Sequence, residues 1–82
     1  MTLRGLIGRL GWSQRKAAEM LFPDCPEPTV RRWFYKDQVP EVQQPFVDLL
    51  LSTCAGRADE DLAGFLTAET IGRIRNGEAA DA

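Results

Sequence analysis

Two adjacent arginines in the stretch EPTVRRWFYK, Arg31 and Arg32, carry the side chain best suited to gripping a guanine edge. The guanidinium is flat and permanently charged, and its fork matches the O6 and N7 acceptors. Glu27 and Pro28 stand one helical turn earlier. A carboxylate there can accept from cytosine N4, and a proline ring offers apolar surface, for instance to a thymine methyl. Further upstream, SQRKAAEML supplies Ser13, Gln14, Arg15 and Lys16, all able to donate to phosphate, and Thr29, Tyr35 and Lys36 add donors beside the arginines. The chemistry in view is therefore four base-edge candidates (Arg31, Arg32, Glu27, Pro28) and seven phosphate candidates.

Other chemistries find little support. The chain of 82 residues has no histidine, which removes His-assisted nucleophiles, His metal ligands and an imidazole pH switch. It has no Gly-rich phosphate loop. No enzyme, cofactor or metal is expected. Asp59, Glu60 and Asp61 read as the acidic first turn of a helix, where they suit the dipole; a metal site would need further ligands. Cys25 and Cys54 are far apart and form no CxxC, so both are expected to stay reduced, with Cys54 a buried thiol in an apolar run.

The functional residues need helices to hold them, and the pattern supplies five to six. Leu3, Leu6, Ile7 and Leu10 fall at the spacing of one helical face, with Thr2 to cap it and Gly11 to end it. Ser13 caps a second helix whose inner face is Ala17, Ala18 and Leu21; small residues there allow another helix to approach closely. FPDCPEP then breaks the chain. Proline is tolerated in a first helical turn, so Pro26 and Pro28 can both open the third helix, with Asp24 or Cys25 near its cap. Val30, Trp33 and Phe34 form its inward face. Phe22 either plugs the turn or is exposed.

A fourth helix is marked by Val42, Phe46, Leu49, Leu50 and Thr53, and a second stripe of Val47, Leu51 and Cys54 runs beside it. Apolar residues on two faces mean burial on both sides. The second stripe meets either the C-terminal segment or a second subunit, so Val47, Leu51 and Cys54 are the dimer-interface candidates. Two short helices follow, one with Leu62, Phe65 and Leu66 inward and one capped by Thr67 with Ile71 and Ile74 inward. No strand signal and no internal repeat are found.

Net charge is −2, which alone argues against nucleic acid. The distribution reverses that inference. Residues 1–36 hold seven basic side chains against three acids, whereas residues 37–82 hold three against nine. Two such halves face different partners. No apolar run approaches a membrane span, and Arg4, Gly5, Gly8 and Arg9 interrupt any signal-peptide core, so a cytoplasmic location is expected.

SQRKAAEMLF followed by EPTVRRWF resembles the helix-turn-helix of Cro/C1-type (XRE) transcriptional regulators. The matching residues are Ser13, Gln14, Ala17, Ala18, Leu21, Thr29, Val30 and Trp33. LRGLIGRLGWSQRKAAEML looks closest to short repressors encoded beside anti-CRISPR genes in phages and other mobile elements. The resemblance covers residues 3–54 and implies an all-α, lambda-repressor-like bundle, with residues 1–54 as the DNA-binding domain. Residues 55–82 would be a helical extension, packed on that domain or used in dimerisation. It further implies a homodimeric repressor that binds an inverted repeat in double-stranded DNA and controls its own operon. One departure is clear. The family has Gly-Val-Ser after the leucine, and here Phe22 to Pro26 makes the turn two residues longer, which bears most on Glu27 and Pro28.

Each sharp reading has a plain one beside it. Arg31 and Arg32 can be the solvated face of a bundle helix, and Ala17 and Ala18 can reflect helix propensity alone. Trp12, Trp33 and Phe34 are core residues rather than ligand-stacking ones. A protein-interaction module, such as an inhibitor of a host defence complex or an antitoxin, is the alternative to a DNA-binding protein.

Overall fold

Residues 2–77 are described by a computed structural model. They form six helices: α1 Leu3–Leu10, α2 Gln14–Leu21, α3 Glu27–Lys36, α4 Gln44–Cys54, α5 Asp59–Phe65 and α6 Ala68–Arg75. A single 3-10 turn, Glu41–Gln43, leads into α4. No strand occurs among the described residues, and the chain is the small all-helical bundle that the apolar spacing predicts.

Short polar side chains start three of these helices. Thr2 Oγ1 accepts from Gly5 N–H at 3.0 Å, Ser13 Oγ from Lys16 N–H at 3.1 Å, and Thr67 Oγ1 from Thr70 N–H at 3.2 Å. Each contact satisfies one of the amides that a helix start leaves without an internal partner. Helix ends are equally explicit. Gly11 takes a left-handed φ of 71° and donates to Gly8 C=O, while Trp12 donates to Ile7 C=O. The same pair of bonds closes α3 around Asp37, whose φ is 54°. Aspartate enters that region more easily than most residues because its short side chain bonds locally.

The prolines set the remaining boundaries. Helix α3 begins at Glu27 with Pro26 as its cap and Pro28 in its second position, so the start lies beyond the expected Asp24 or Cys25. The reason is conformational: Pro26 has ψ 137°, outside the helical region, so the helix starts only after it. In α4, Pro45 is accommodated in the first turn, and Gln44 before it is already helical at φ −60° and ψ −44°. The regular helix begins only at Gln44, and Val42 falls in the 3-10 turn with 84% of its surface exposed. The expected inward role of Val42 is therefore not met, because the periodicity it was read from does not extend back through the turn.

One apolar cluster joins all six helices. Leu6, Leu21, Val30, Leu50, Leu62 and Ile74 are among its most enclosed members, and no polar or charged residue is buried among those described. Helix α2 packs chiefly on α3, α5 lies on α1, and α6 lies on α4 and α2. The described part of residues 55–82 is thus packed on the rest. It also decides the fate of the second stripe on α4. Val47 and Cys54 are core residues of the single chain, and Leu51 is half-buried. Helices α1 and α6 both pack on α4, while Val47 and Leu51 also line an open groove with Thr2, Leu3, Val39 and Gln44.

Phe22 resolves its two readings in favour of the plug. It is 1% exposed, and its ring meets Trp33 edge-on at 5.2 Å and Phe46 edge-on at 5.8 Å, with Phe34 tilted at 6.2 Å. Edge-to-face geometry sets the positive rim of one ring against the negative face of the next. Truncation of a buried phenylalanine costs about 3–5 kcal/mol, a large part of a small domain's stability. Phe22→Ala is accordingly expected to lower the urea midpoint sharply, and an unchanged midpoint would show that the plug carries no weight. The cysteines provide a second check. Burial pushes the Cys54 thiol above its ordinary range, only partly countered by the positive charges of Arg57 and Arg9, whereas Cys25 is partly exposed in the turn. Iodoacetamide should modify one thiol of the native chain, Cys25, and reach Cys54 only after unfolding; peptide mass mapping reads the difference.

Candidate nucleic-acid interface

The outward side of α3 follows from its inward side. Val30 and Phe34 are buried and Trp33 is half-buried. At about 100° per residue, the line opposite them passes through Pro28, Arg32 and Tyr35, with Lys36 and Thr29 on one flank and Arg31 and Glu27 on the other. Exposure agrees with this geometry. Pro28, Thr29, Arg31, Arg32, Tyr35 and Lys36 are all exposed, Tyr35 at 79%, and Glu27 is half-exposed. All four base-edge candidates therefore lie on one solvent-facing arc.

Ser13, Gln14, Arg15 and Lys16 are exposed at the start of α2. The Ser13 oxygen is occupied as an acceptor by its own helix, and its hydroxyl proton remains available to donate. Lys16 N–H is capped by Ser13, and Ala17 N–H bonds to Ser13 C=O, so the amides of Gln14 and Arg15 are the open donors of this end. The two helix starts differ in kind. In α3, Thr29 and Val30 both donate to Pro26 C=O at 3.1 Å, Pro28 has no N–H, and the first residue bears a carboxylate. Only the Glu27 amide is left, beneath a negative side chain. An anion thus finds open amides and no acidic side chain in the first turn of α2, and neither advantage at α3. Of the two helix starts, that of α2 is the one suited to an anion, and α3 offers side chains instead.

Counting charges over residues 1–36 overstates what this surface offers. Arg9 is turned to α5, where Nε contacts Asp59 and Nη2 donates to Arg57 C=O at 2.7 Å. Arg15 pairs with Glu19 at 3.5 Å, and Arg31 with Glu27 at 3.0 Å. Lys16 Nζ lies 5.6 Å from the centre of the Trp12 ring. Arg4, Arg32 and Lys36 have no acidic partner among the described residues. Exposed pairs of this helical spacing are worth only about 0.3–0.5 kcal/mol, so Arg15 can exchange its partner at little cost.

The turn between the helices is anchored from outside. Arg75 of α6 sets its guanidinium 4.1 Å from the Phe46 ring centre and 5.7 Å from that of Phe22, and its Nη1 donates to Gln43 Oε1 at 3.5 Å. A cation on an aromatic face stabilises by about 0.5–2 kcal/mol, more as water is excluded. Sequence reasoning counted Arg75 only as a charge. The available signal was its spacing: Ile71, Ile74 and Arg75 share one face of α6, which places the arginine stem over the core. Arg57 behaves alike, 3.6 Å from the centre of Phe65.

Among the described residues no three His, Cys, Asp or Glu side chains gather as a metal site would require, and no helix is long and apolar enough to cross a membrane.

Removing the cap that orders the start of α2 should be visible in stability. Ser13→Ala is expected to cost about 1 kcal/mol, and Ser13→Asp to retain most of the wild-type value, because Asp caps as well as Ser. Equal denaturation midpoints for Ser13→Ala and wild type would remove the cap from the account.

Compared with known proteins, the chain matches no family model, no curated protein and no solved structure.

Proposed function

We propose that this chain is a sequence-specific double-stranded DNA-binding repressor, acting in the cytoplasm as a homodimer on an inverted repeat. The observation that carries the reading is the outward arc of α3. It presents Arg31, Arg32, Tyr35 and Lys36 together, its one acid, Glu27, is paired, and α2 beside it begins with open amides and exposed donors. In this reading α3 enters the major groove, Arg31 and Arg32 meet base edges, and the start of α2 grips the backbone. Ser13, Gln14, Arg15, Lys16, Thr29, Tyr35 and Lys36 supply the phosphate contacts.

A single module of this size buries a small interface, which is why two copies on symmetric half-sites are needed for useful affinity. Val47 and Cys54 are largely enclosed, while the half-buried Leu51 and the exposed Val42 offer apolar surface to a second copy. The resemblance to repressors of mobile elements makes the protein's own operon, of the anti-CRISPR kind, the first target to test.

The test is a gel shift against the DNA upstream of its own gene. A retarded complex is expected, weakening steeply as salt rises because bound arginine and lysine release counterions from the phosphates. Arg31→Ala combined with Arg32→Ala should reduce affinity by about tenfold or more, since each good bidentate contact carries about 1–3 kcal/mol of discrimination. Absence of a shift at moderate salt, or an unchanged shift with the double variant, would sink the proposal.

A further inference from the structure

The two arginines of the reading arc are not equivalent. Arg32 lies near the middle of the exposed line and has no ion pair among the described residues. Arg31 sits on the flank with Nη2 3.0 Å from Glu27 Oε1, one helical turn back. The two side chains are 54% and 40% exposed, yet that particular carboxylate oxygen is shielded from solvent, and its contact with Arg31 is one of charge and distance without a hydrogen bond. A shielded carboxylate oxygen left without a partner is unfavourable. Loss of the Arg31 charge would leave that shielded carboxylate oxygen with no counter-charge, so Arg31 is favoured beside Glu27.

From this asymmetry we infer that Glu27 is a positioning residue that makes Arg31 a base reader with no net charge of its own, while Arg32 supplies both reading and charge. The inference rests on the duplex-binding function proposed above and assigns Glu27 a different role from direct contact with cytosine. A guanidinium already held by a carboxylate loses less freedom when it meets a guanine edge. The neutral pair also adds nothing to the counterions released from phosphates, so it does not strengthen binding to arbitrary sequence. Glu27 thus improves the ratio of specific to non-specific binding by lowering the second term. It does so at the start of α3, where a carboxylate is also favoured by the helix dipole, so the fold does not oppose it.

The experiment compares wild type, Glu27→Gln, and Glu27→Gln with Arg31→Ala on two duplexes. One is selected by the wild-type protein from a random-sequence library, and the other is a scrambled version of it. Thermal melts establish that all three proteins are folded to the same degree. Glu27→Gln releases the Arg31 charge, so the plot of log affinity against log salt should steepen by about one unit, scrambled duplex should bind more tightly, and the specificity ratio should fall about tenfold. Adding Arg31→Ala should return the slope to the wild-type value. An unchanged slope and ratio in Glu27→Gln, with wild type still binding the selected duplex, overturns the inference and leaves the DNA-binding function standing. A slope that stays steep in the double variant overturns it too, because the charge would not be acting through Arg31. A wild-type protein that selects no duplex removes both.

Discussion

Phe22 occupies the place where a short turn would otherwise close α2 onto α3. The turn is long and rich in proline, so it has little hydrogen bonding of its own: Cys25 N–H to Phe22 C=O, at 3.1 Å, is the backbone bond within it. Its shape is held instead by one aromatic ring inserted among Trp33, Phe34 and Phe46. Phe34 belongs to the inward side of α3 and Phe46 to the first turns of α4, so the ring fixes α3 against both of its neighbours. Arg75 closes the cluster from α6, covering ring faces that the small core leaves near the surface. Without that packing the start of α3 would have neither a side-chain cap nor a tight turn to locate it.

The electrostatics follow from the same packing. With α5 laid on α1, Arg9 is drawn to Asp59 and to a backbone carbonyl, and becomes a tie between the two chain halves rather than part of a basic surface. What remains on the α2–α3 side is fewer charges arranged more selectively: a free arginine, a free lysine, a lysine over the Trp12 ring, and two arginines balanced by acids on their own helices. On the proposed reading, a surface of this kind would bind by geometry more than by bulk attraction, in a chain whose overall charge is slightly negative.

Much of the fold is legible in local spacing. The caps at Thr2, Ser13 and Thr67 are read from residue type, because each needs only a short oxygen three residues before an amide. The left-handed end at Gly11 is legible for the same reason, as are the inward faces of α1, α2 and α6. Val42 and Trp33 mark where spacing misleads. Val42 matches a helical period that the proline-rich approach to α4 never adopts, and Trp33 is at the edge of its face, where a large ring is only partly covered. The site is legible to the same depth. Exposure of Arg31, Arg32, Tyr35 and Lys36 follows from the burial of Val30 and Phe34 on the same helix.

The sequence by itself therefore determined the helices, three of their N-caps, and which face of α3 meets water, because all of these depend on residues within one or two turns of each other. Tertiary structure alone decided that Phe22 turns inward, that Val47 and Cys54 of the second α4 stripe pack within one chain, that Arg9 ties α1 to α5, and that Arg75 covers the aromatic cluster. Those outcomes depend on which helix lands on which, and contacts between residues dozens of positions apart leave no periodic trace in either partner. The Glu27–Arg31 pair lies between the two cases. Its spacing is visible in the sequence, but the shielding of one carboxylate oxygen appears only once the turn and α2 are packed against it.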